Sequence, residues 1–374
     1  MIRQFQGPTP MKFDATRLPL VALLAAAGMS AALACSSDDD SEPTESSLPP
    51  PESMPASMTS AAPGPRDPTP NGLSFPDGVE DWRVIGVVNI PTGMTPTLRV
   101  IVGNDTAVDA ARAGQTSPWP EGSTMAHYQW APSSTPESGD AITPGNFVAL
   151  TMITKNSELY AADHNWAFGV WRGLDLVPPA VAEPAFDRAC VGCHTTSLPP
   201  EKDFIFTVPG ALPSSAAIAA APTLSNGLQV PAGILDWRVI GMSSLATATP
   251  PTIRVIVGND IAVQAARAGE TLPWPDGSII AQYVWTPGET PVIPAPVVSA
   301  TEFAAFTLMV RDAQAYAADG GWAFGRWNGT GLTAPAAADF DRACVACHTE
   351  RVAANDFVFT RPGALPPSFV SPLP

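Results

Sequence analysis

The sequence has few of the residues on which most metal, disulfide and nucleic-acid sites depend. Its 374 residues include five cysteines, four histidines, and 19 lysines and arginines against 35 aspartates and glutamates. Five cysteines are too few for a disulfide-dense scaffold. A formal net charge of −16 argues against a nucleic-acid binder, which would carry a basic surface. Four histidines exclude dense bis-histidine metal chemistry, so the positions of the few cysteines and histidines decide the interpretation. The only lysines are Lys12, Lys155 and Lys202.

The first 34 residues have the layout of a signal peptide of the lipoprotein type. Lys12 and Arg17 precede an apolar run at 18–34 that is too short for a membrane span. The run ends in Ala-Leu-Ala before Cys35, which resembles a bacterial lipobox and makes Cys35 the candidate for lipidation. Ordinary cleavage after a small-x-small site is the alternative. Ser36 after the cysteine favours the outer membrane, so we expect an exported protein on the periplasmic side of a bacterial membrane.

Residues 35–70 are rich in proline, serine and acidic residues. This composition cannot bury a core, so it predicts a disordered tether. A tether behind a lipid anchor would hold a folded body away from the membrane, which the protein would then contact only through the lipid.

Beyond the tether the chain repeats its motifs in the same order, which indicates a tandem duplication of one domain. We expect a first domain at 71–213, a linker at 214–225 and a second domain at 226–368, each long enough to bury a core. The repeated motifs are DWRVIG at 81–86 and 236–241, RVIVGND at 99–105 and 254–260, AARAG at 110–114 and 265–269, WAFG at 166–169 and 322–325, and PGALP at 209–213 and 362–366.

Each copy is predicted to be α+β, with a predominantly antiparallel sheet and a few helices. Segments such as WRVIGVV, TLRVIVGN and FVALTMIT are short, β-branched and bounded by turn residues, so they predict strands. TAVDAARAG and IAVQAARAG have apolar residues at helical spacing and end at glycine, which predicts helices. A further helix is predicted around each cysteine pair. Trp166, Trp171, Trp322 and Trp327 are predicted to be core residues.

Two CxxCH motifs carry the chemistry. Cys190, Cys193 and His194 form the first, and Cys344, Cys347 and His348 form the second. This is the c-type haem attachment pattern. On one helical turn the two cysteines share a face and can each form a thioether to a haem vinyl group, while the histidine beside them can ligate the iron. The sequence therefore predicts two covalently attached haems c, one in each domain.

Two other chemistries use paired cysteines. A four-cysteine zinc site would require the two domains to share one metal and would leave the histidines unused. A thioredoxin-like redox pair would lie near the start of a helix in a βαβ unit and would not need the histidine.

The sixth ligand of each iron is less constrained by the sequence. The remaining histidines, His127 and His164, both lie in the first copy, so bis-histidine ligation of the second haem is impossible within its own domain. Met309, or Met152 near the equivalent place, can serve as a sixth ligand or fill the core. An open sixth position, able to bind a ligand such as NO, is the simpler expectation.

The order of motifs in each copy resembles that of the cytochrome P-460 and cytochrome c′-beta family. It runs through DWRVIG, RVIVGND, WPDGSIIAQYVW at 274–285, GGWAFGRW at 320–327, CVACHT and DFVFT at 356–360. The resemblance implies a predominantly β fold, a c-type haem with a proximal histidine, a five-coordinate iron and a usually homodimeric assembly. Members bind NO or oxidise hydroxylamine.

The chain departs from this family where hydroxylamine-oxidising members cross-link a lysine to the haem. The matching positions are His127 and Gln282, and the second copy contains no lysine. This favours a plain haem, as in cytochrome c′-beta. His127 is a candidate to approach the edge or the iron of the first haem, or an ordinary strand histidine. His164 is predicted to be solvated.

Further candidates each have a structural alternative. Arg99 and Arg254 can pair a haem propionate or be surface cations of a strand. Phe147, Phe303 and Phe306 can cap the distal side or fill the sheet core. Asp312 is the candidate acid near the second site, although its counterpart is Asn156.

The sequence thus predicts an exported dihaem cytochrome that binds a small gaseous or nitrogen-oxide ligand, exchanges electrons with a redox partner protein, or does both. The two copies can pack as an intramolecular pseudo-dimer. One alternative is an oxidoreductase acting on hydroxylamine or NO. Another is a six-coordinate electron carrier with methionine as the sixth ligand.

Overall fold

A computed structural model of the chain describes residues 64–92, 96–136, 138–180, 186–292 and 295–369. The signal segment, Cys35 and residues 35–63 of the predicted tether lie outside the described residues. Thr59–Pro374 forms one compact unit that includes both copies of the repeat. Within the described ranges, no helix combines the length and the apolar character needed to cross a membrane.

In the described residues, each copy has five antiparallel strands and two principal helices, which agrees with the predicted antiparallel sheet with a few helices. In the first copy these are β1 (Arg83–Ile90), β2 (Thr97–Gly103), α1 (Asp105–Ala113), β3 (Thr124–Ser133), β4 (Thr143–Lys155), β5 (Trp166–Arg172) and α2 (Phe186–Ser197). After the short helix α3 (Ser215–Ala219), the second copy has β6 (Arg238–Leu245), β7 (Thr252–Gly258), α4 (Asp260–Ala268), β8 (Ile279–Val292), β9 (Ala295–Arg311), β10 (Trp322–Asn328) and α5 (Phe340–Val352).

The ten strands form one sheet that runs through both copies. Its order is β5-β4-β3-β2-β1-β9-β8-β7-β6, and β10 pairs with β9 on the same edge as β1, opposite β8. The copies join where Val88 and Asn89 of β1 pair with Ser299 and Val298 of β9. The antiparallel sheet with few helices agrees with the α+β prediction.

The sheet has apolar side chains on both faces, which explains why strands such as β2 are buried at nearly every position. One face of each copy contributes to a single central core, which includes Trp130, Trp171, Trp285 and Trp327. The opposite face of each copy carries its own smaller cluster, under α1 and α2 in the first copy and under α4 and α5 in the second. Fully burying one such aliphatic or aromatic side chain contributes about 1.5–3 kcal/mol.

The contacts between the copies occur in equivalent pairs. The indole Nε1 of Trp130 donates to the carbonyl of Ala364 in the second copy at 2.7 Å, and that of Trp285 donates to Ala211 in the first copy at 2.6 Å. These acceptors belong to the two PGALP motifs, whose glycines allow the close approach. A Cβ on Gly210 would lie 3.0 Å from the Trp285 indole.

Two segments differ from their predicted roles as spacers. Residues 64–70 contact the first copy, where Trp171 Nε1 donates to the Asp67 carbonyl and Thr69 is buried. Residues 214–225 include α3, and Ile218 and Leu224 enter the central core. Polar contacts attach the first segment to the body and apolar side chains attach the second, although the composition of both is typical of linkers.

Candidate functional site

The two CxxCH motifs lie on α2 and α5, and each helix packs on the outer face of its own half of the sheet. Cys190 and Cys344 are half-buried and contact the flanking clusters, whereas Cys193 and Cys347 are exposed. Among the described residues, none of the four forms a disulfide. Because residues at i and i+3 share a helix face, each helix presents two thiols and the adjacent histidine together.

Both motif histidines are oriented by a backbone carbonyl. Nδ1 of His194 lies 2.7 Å from the oxygen of Phe204, and Nδ1 of His348 lies 2.6 Å from that of Phe357. A carbonyl can only accept, so Nδ1 carries the proton and Nε2 retains the lone pair that a metal needs. This is the usual arrangement of a metal-ligating histidine and its outer partner.

Aromatic rings hold each imidazole from two sides. The rings of Phe168 and Phe206 lie 4.6 Å from that of His194. In the second copy, Phe324 and Phe359 flank His348 at 4.6 and 4.8 Å. The rings leave the imidazoles little freedom to rotate about χ2.

Burial determines the protonation of the motif histidines and of the first cysteine in each motif. It lowers the pKa of His194 and of His348, which keeps both imidazoles neutral and able to ligate. Burial also raises the pKa of the Cys190 and Cys344 thiols. A redox-active CxxC pair needs a lowered thiol pKa, so this electrostatic environment does not favour thioredoxin-like chemistry.

The geometry also disfavours the zinc alternative. Across the described ranges, no three side chains of His, Cys, Asp or Glu come together as a metal site.

The sheet pairs are antiparallel wherever the structure describes them, so neither CxxC pair lies in a parallel βαβ unit. The donor set of two thiols and one oriented neutral imidazole on each helix fits a covalently attached haem.

Each motif helix is anchored by the residues that begin it. The carboxylate of Asp187 accepts from Asn71 Nδ2 at 3.1 Å, and the same amide group donates to the Phe168 carbonyl at 2.9 Å. Arg188 forms a two-pronged ion pair with Asp163 at 2.5 and 3.2 Å. In the second copy, Asn226, Asp341, Arg342 and Asp319 make the equivalent contacts.

Arg99 and Arg254 are half-buried, and the surface-cation alternative does not describe them. Burial lowers the pKa of both guanidinium groups, and Arg326 acts in the same direction on Arg254. Their Nε atoms donate to Thr97 and Thr252. Within the described residues neither arginine forms an ion pair with an acid, so a buried anion such as a carboxylate would be well accommodated there.

His127 lies on the same face of β3 as Met125, which belongs to the first flanking cluster. Its Nε2 is buried and has no hydrogen-bond partner among the described residues. Burial, and then the charges of Arg99 and His194, lower its pKa to about 3. An orphaned buried nitrogen near the motif histidine is consistent with a group that occupies this face, and the second copy has Gln282 at the same place.

The two methionines face opposite sides of the sheet. Met309 packs in the second flanking cluster with Cys344, whereas Met152 is buried in the central core. Met309 pairs with Ile280 and Phe324, and its counterpart in the first copy is Ile153. Met152 is therefore excluded as a sixth ligand, because the sheet separates it from α2.

The structure favours the core alternative for the three candidate phenylalanines and places Asp312 on an exposed turn. Phe147, Phe303 and Phe306 belong to the central core, on the face away from the cysteines, because strand alternation directs their side chains inward. Asp312 is exposed, and its carboxylate accepts from the backbone of Gln314 and Ala315, as a turn residue does. His164 is exposed as expected, with its ring 4.3 Å from that of Phe204.

Sequence reasoning missed the polar residues that hold the motif in place. They are Asn71, Asp187, Lys155 and Asp203 in the first copy and Asn226, Asp341, Arg311 and Asp356 in the second. The repetition was the available signal, because NG, DRAC and DFxFT recur at matching positions in both copies.

A family model described as Cytochrome P460 matches the chain twice, at residues 76–207 and 231–360. The two matches together cover well over half of the chain. No curated protein matches the sequence.

Proposed function

The chain belongs to the cytochrome P460 family, and from this premise we propose that it is an exported dihaem c-type cytochrome that binds a small ligand such as NO, passes single electrons, or does both. The observation that carries the proposal is the pair of CxxCH helices, each with its histidine held through Nδ1 by a carbonyl. Such a histidine presents Nε2 for ligation.

The four motif cysteines would attach the haems. Each thiol would add across a vinyl group, forming one S–C bond while the thiol hydrogen goes to the other vinyl carbon, so that no oxidant is consumed. The neutral imidazoles of His194 and His348 would be the proximal ligands. Arg99 and Arg254, buried without an acid partner in the described part of the chain, would pair with haem propionates.

A bound haem supplies an iron that exchanges one electron and can take a small neutral ligand. The chain contributes the apolar surroundings, because Ile101, Met125 and Ile153 line the outer face of the first half of the sheet. His127 lies on that face in the first copy, and Gln282 occupies its place in the second. The two sites would therefore treat a bound ligand differently.

Oxidation of hydroxylamine is the less favoured alternative, because His127 and Gln282 stand where hydroxylamine-oxidising members of this family carry the cross-linked lysine. Lys155 Nζ is occupied by Asp203 and by the carbonyl of Trp119. Lys202 is exposed next to the tail motif.

An electron carrier with methionine ligation is a second candidate, and the position of Met309 favours it for the second copy only. Met309 shares the flanking cluster with Cys344. In the first copy Ile153 stands at this place, so the first iron would lack that ligand.

The duplication would give one chain what homodimeric relatives obtain from two. The equivalent contacts of Trp130 and Trp285, and the shared central core, support an intramolecular pseudo-dimer. Lipidation of Cys35 would hold this body at the periplasmic side of an outer membrane, where a redox partner protein could reach it.

Optical spectra of the purified protein test the proposal. We expect two covalently bound haems per chain in the pyridine haemochromogen assay, and a ferrous Soret band that moves when NO or CO is added. A low-spin spectrum that neither gas alters would contradict the open site. Met309→Leu is the matched variant, because a six-coordinate second haem would lose its ligand while the first haem stayed as it was.

A further inference from the structure

The DFxFT tail motif follows the motif helix in both copies and supplies the carbonyl that orients each histidine. In the first copy it comprises Asp203, Phe204 and Phe206, and in the second Asp356, Phe357 and Phe359. The phenylalanine after the aspartate gives its carbonyl to the histidine, and the next one flanks the imidazole ring. Among the described residues, neither aspartate forms a hydrogen bond with the histidine, so its matching place in both copies needs a separate reason.

Asp203 closes a buried polar triangle in the first copy. Its Oδ2 accepts from Lys155 Nζ at 2.6 Å and from the backbone nitrogen of Trp119 at 2.9 Å. Lys155 also donates to the Trp119 carbonyl at 2.8 Å. Only 8% of the Lys155 side chain and 11% of the Asp203 side chain are exposed, so solvent screens the pair weakly.

The second copy has only part of this arrangement, with arginine in place of lysine. Asp356 Oδ2 accepts from the backbone nitrogen of Trp274 at 2.9 Å, but its partner Arg311 lies 3.5 Å away. Arg311 instead donates to the carbonyl of Gly320 at 2.7 Å. The positive charge that faces the carboxylate is therefore farther from Asp356 in the second copy than from Asp203 in the first.

The triangle is attached to the backbone turn that presents the carbonyl. Asp203 and Phe204 have φ of 52° and 58°, and Asp356 and Phe357 have φ of 51° and 62°. Two consecutive non-glycine residues in the left-handed region are costly and persist only when surrounding contacts impose them. The buried carboxylate bonds supply that constraint one residue before the carbonyl.

We propose that the buried pairs Lys155–Asp203 and Arg311–Asp356 are positioning residues for the proximal histidines, and that their difference gives the two haems different reduction potentials. This inference rests on the proposed function. A hydrogen bond from Nδ1 raises the electron density of the imidazole, and hydrogen bonds to the ligating histidine are among the means by which proteins set haem potentials. Loss of the carboxylate would remove a negative charge and loosen the carbonyl, and both changes favour the ferrous state.

Asp203→Asn and Asp356→Asn test the proposal, and each leaves the other copy as an internal control. We expect Asp203→Asn to raise the potential of one haem by about 59 mV, a tenfold change in its ratio of reduced to oxidised forms at fixed potential for one electron. The other haem should keep its potential. Asp356→Asn should give the reciprocal result, and in each variant the iron–histidine stretching band of the affected ferrous haem should move to lower frequency.

Arg311→Lys is the conservative exchange, since it gives the second copy the cation of the first. We expect the potential of the second haem to move toward that of the first. If the asparagine variants do not fold, this exchange decides the question, and unchanged potentials in it would overturn the proposal. Folded asparagine variants with full haem content, unchanged potentials and an unchanged iron–histidine band would also overturn it.

If the protein is not a cytochrome, the outcome differs from the one that would overturn the positioning role. A wild-type protein without covalent haem would refute the cytochrome but still allow the positioning role to be measured. The ¹⁵N shifts of the His194 ring then report whether Nδ1 carries the proton in the wild type and loses that preference in Asp203→Asn. An unchanged tautomer in the variant would overturn the inference.

Discussion

The side chains that matter most at this protein's candidate sites are fixed by one or two short contacts each. His194 has a single hydrogen bond through Nδ1 and two flanking rings. Arg99 has one hydroxyl partner and no acid among the described residues. Changing a single residue should therefore alter one haem environment and spare the other.

Replacing a motif histidine should remove one proximal ligand. In His348→Ala we expect the absorption spectrum of the second haem to change while about half of the haem absorbance keeps its wild-type form, because His194 is unaffected. Absorption spectra of both oxidation states measure this. His164→Ala is the control, since His164 is exposed and on a turn. A wild-type spectrum for His348→Ala would refute the assigned ligand.

The orphaned imidazole of His127 should make the protein sensitive to acid. Its pKa is about 3 in the folded chain against 6.5 as the ordinary value, so protonation favours the unfolded chain. The stability present above pH 6.5 is lost as the pH falls toward 3. Between pH 7 and pH 5 the free energy of unfolding should fall by about 2 kcal/mol through this residue.

Chemical denaturation at both pH values measures that loss. His127→Gln introduces the residue found in the second copy, and it should unfold with a smaller pH dependence than the wild type. Equal pH dependence in the two proteins would show that His127 is not buried as the structure places it.

At the scale of elements, local sequence determines where helices begin and end. Asn104 caps α1 by accepting from the nitrogen of Ala107 at 3.0 Å, and Gly114 ends the helix in the left-handed conformation. Asn259 and Gly269 do the same for α4. The repeated GND and ARAG motifs are therefore helix caps.

We expect the side chain of Asn104 to stabilise the folded chain more than an ordinary helix N-cap does. Besides Ala107 it accepts from the nitrogen of Thr124, and it donates to the carbonyl of Gly122. We expect Asn104→Ala to lower the free energy of unfolding by about 2 kcal/mol, the upper end for a cap. Urea denaturation measures the change. Asn259→Ala should cost the same, and a loss below 0.5 kcal/mol, the lower end for a cap, in either variant would contradict this role.

The strands and the helices, including those that carry the CxxCH motifs, could be predicted from sequence, because each depends on spacing within one segment. The partners of those residues could not. Lys155 and Asp203 are far apart in sequence and meet at 2.6 Å. Sequence left open whether Phe303 caps the second site or fills the core, since it does not show which face of β9 meets α5. It also did not show that Asp312 would be an exposed turn residue.

At the scale of the whole molecule, neither copy completes its own core. The central core contains Val84 and Leu150 of the first copy together with Val255 and Leu308 of the second. Arg112 donates to the carbonyl of Leu235, and Arg267 donates to that of Glu80. The interface between the copies therefore includes polar contacts beside the apolar core. Separating the copies would expose one large apolar face on each.

An isolated copy should therefore not remain a folded monomer. We expect a chain of residues 64–213 or 214–369 to dimerise or aggregate, because burial of that face is the main term that stabilises it. Sedimentation velocity and thermal unfolding measure this, with the intact body at 64–369 as the control. A monomeric isolated copy that unfolds as cooperatively as the intact body would contradict a shared core.

The sequence by itself determined the duplication, the element types, the CxxCH donors and the family, since all of these are periodicities and spacings along the chain. Only the tertiary structure decided that the two copies share one sheet and one core, and that Arg99 and His127 are half-buried. It also decided that Asp203 and Asp356 precede the phenylalanines whose carbonyls accept from the histidines. The physical reason is that burial and hydrogen bonding belong to residues brought together in space. Lysine is scarce in the sequence, and only the folded chain shows that Lys155, on β4, is held in a buried ion pair with Asp203.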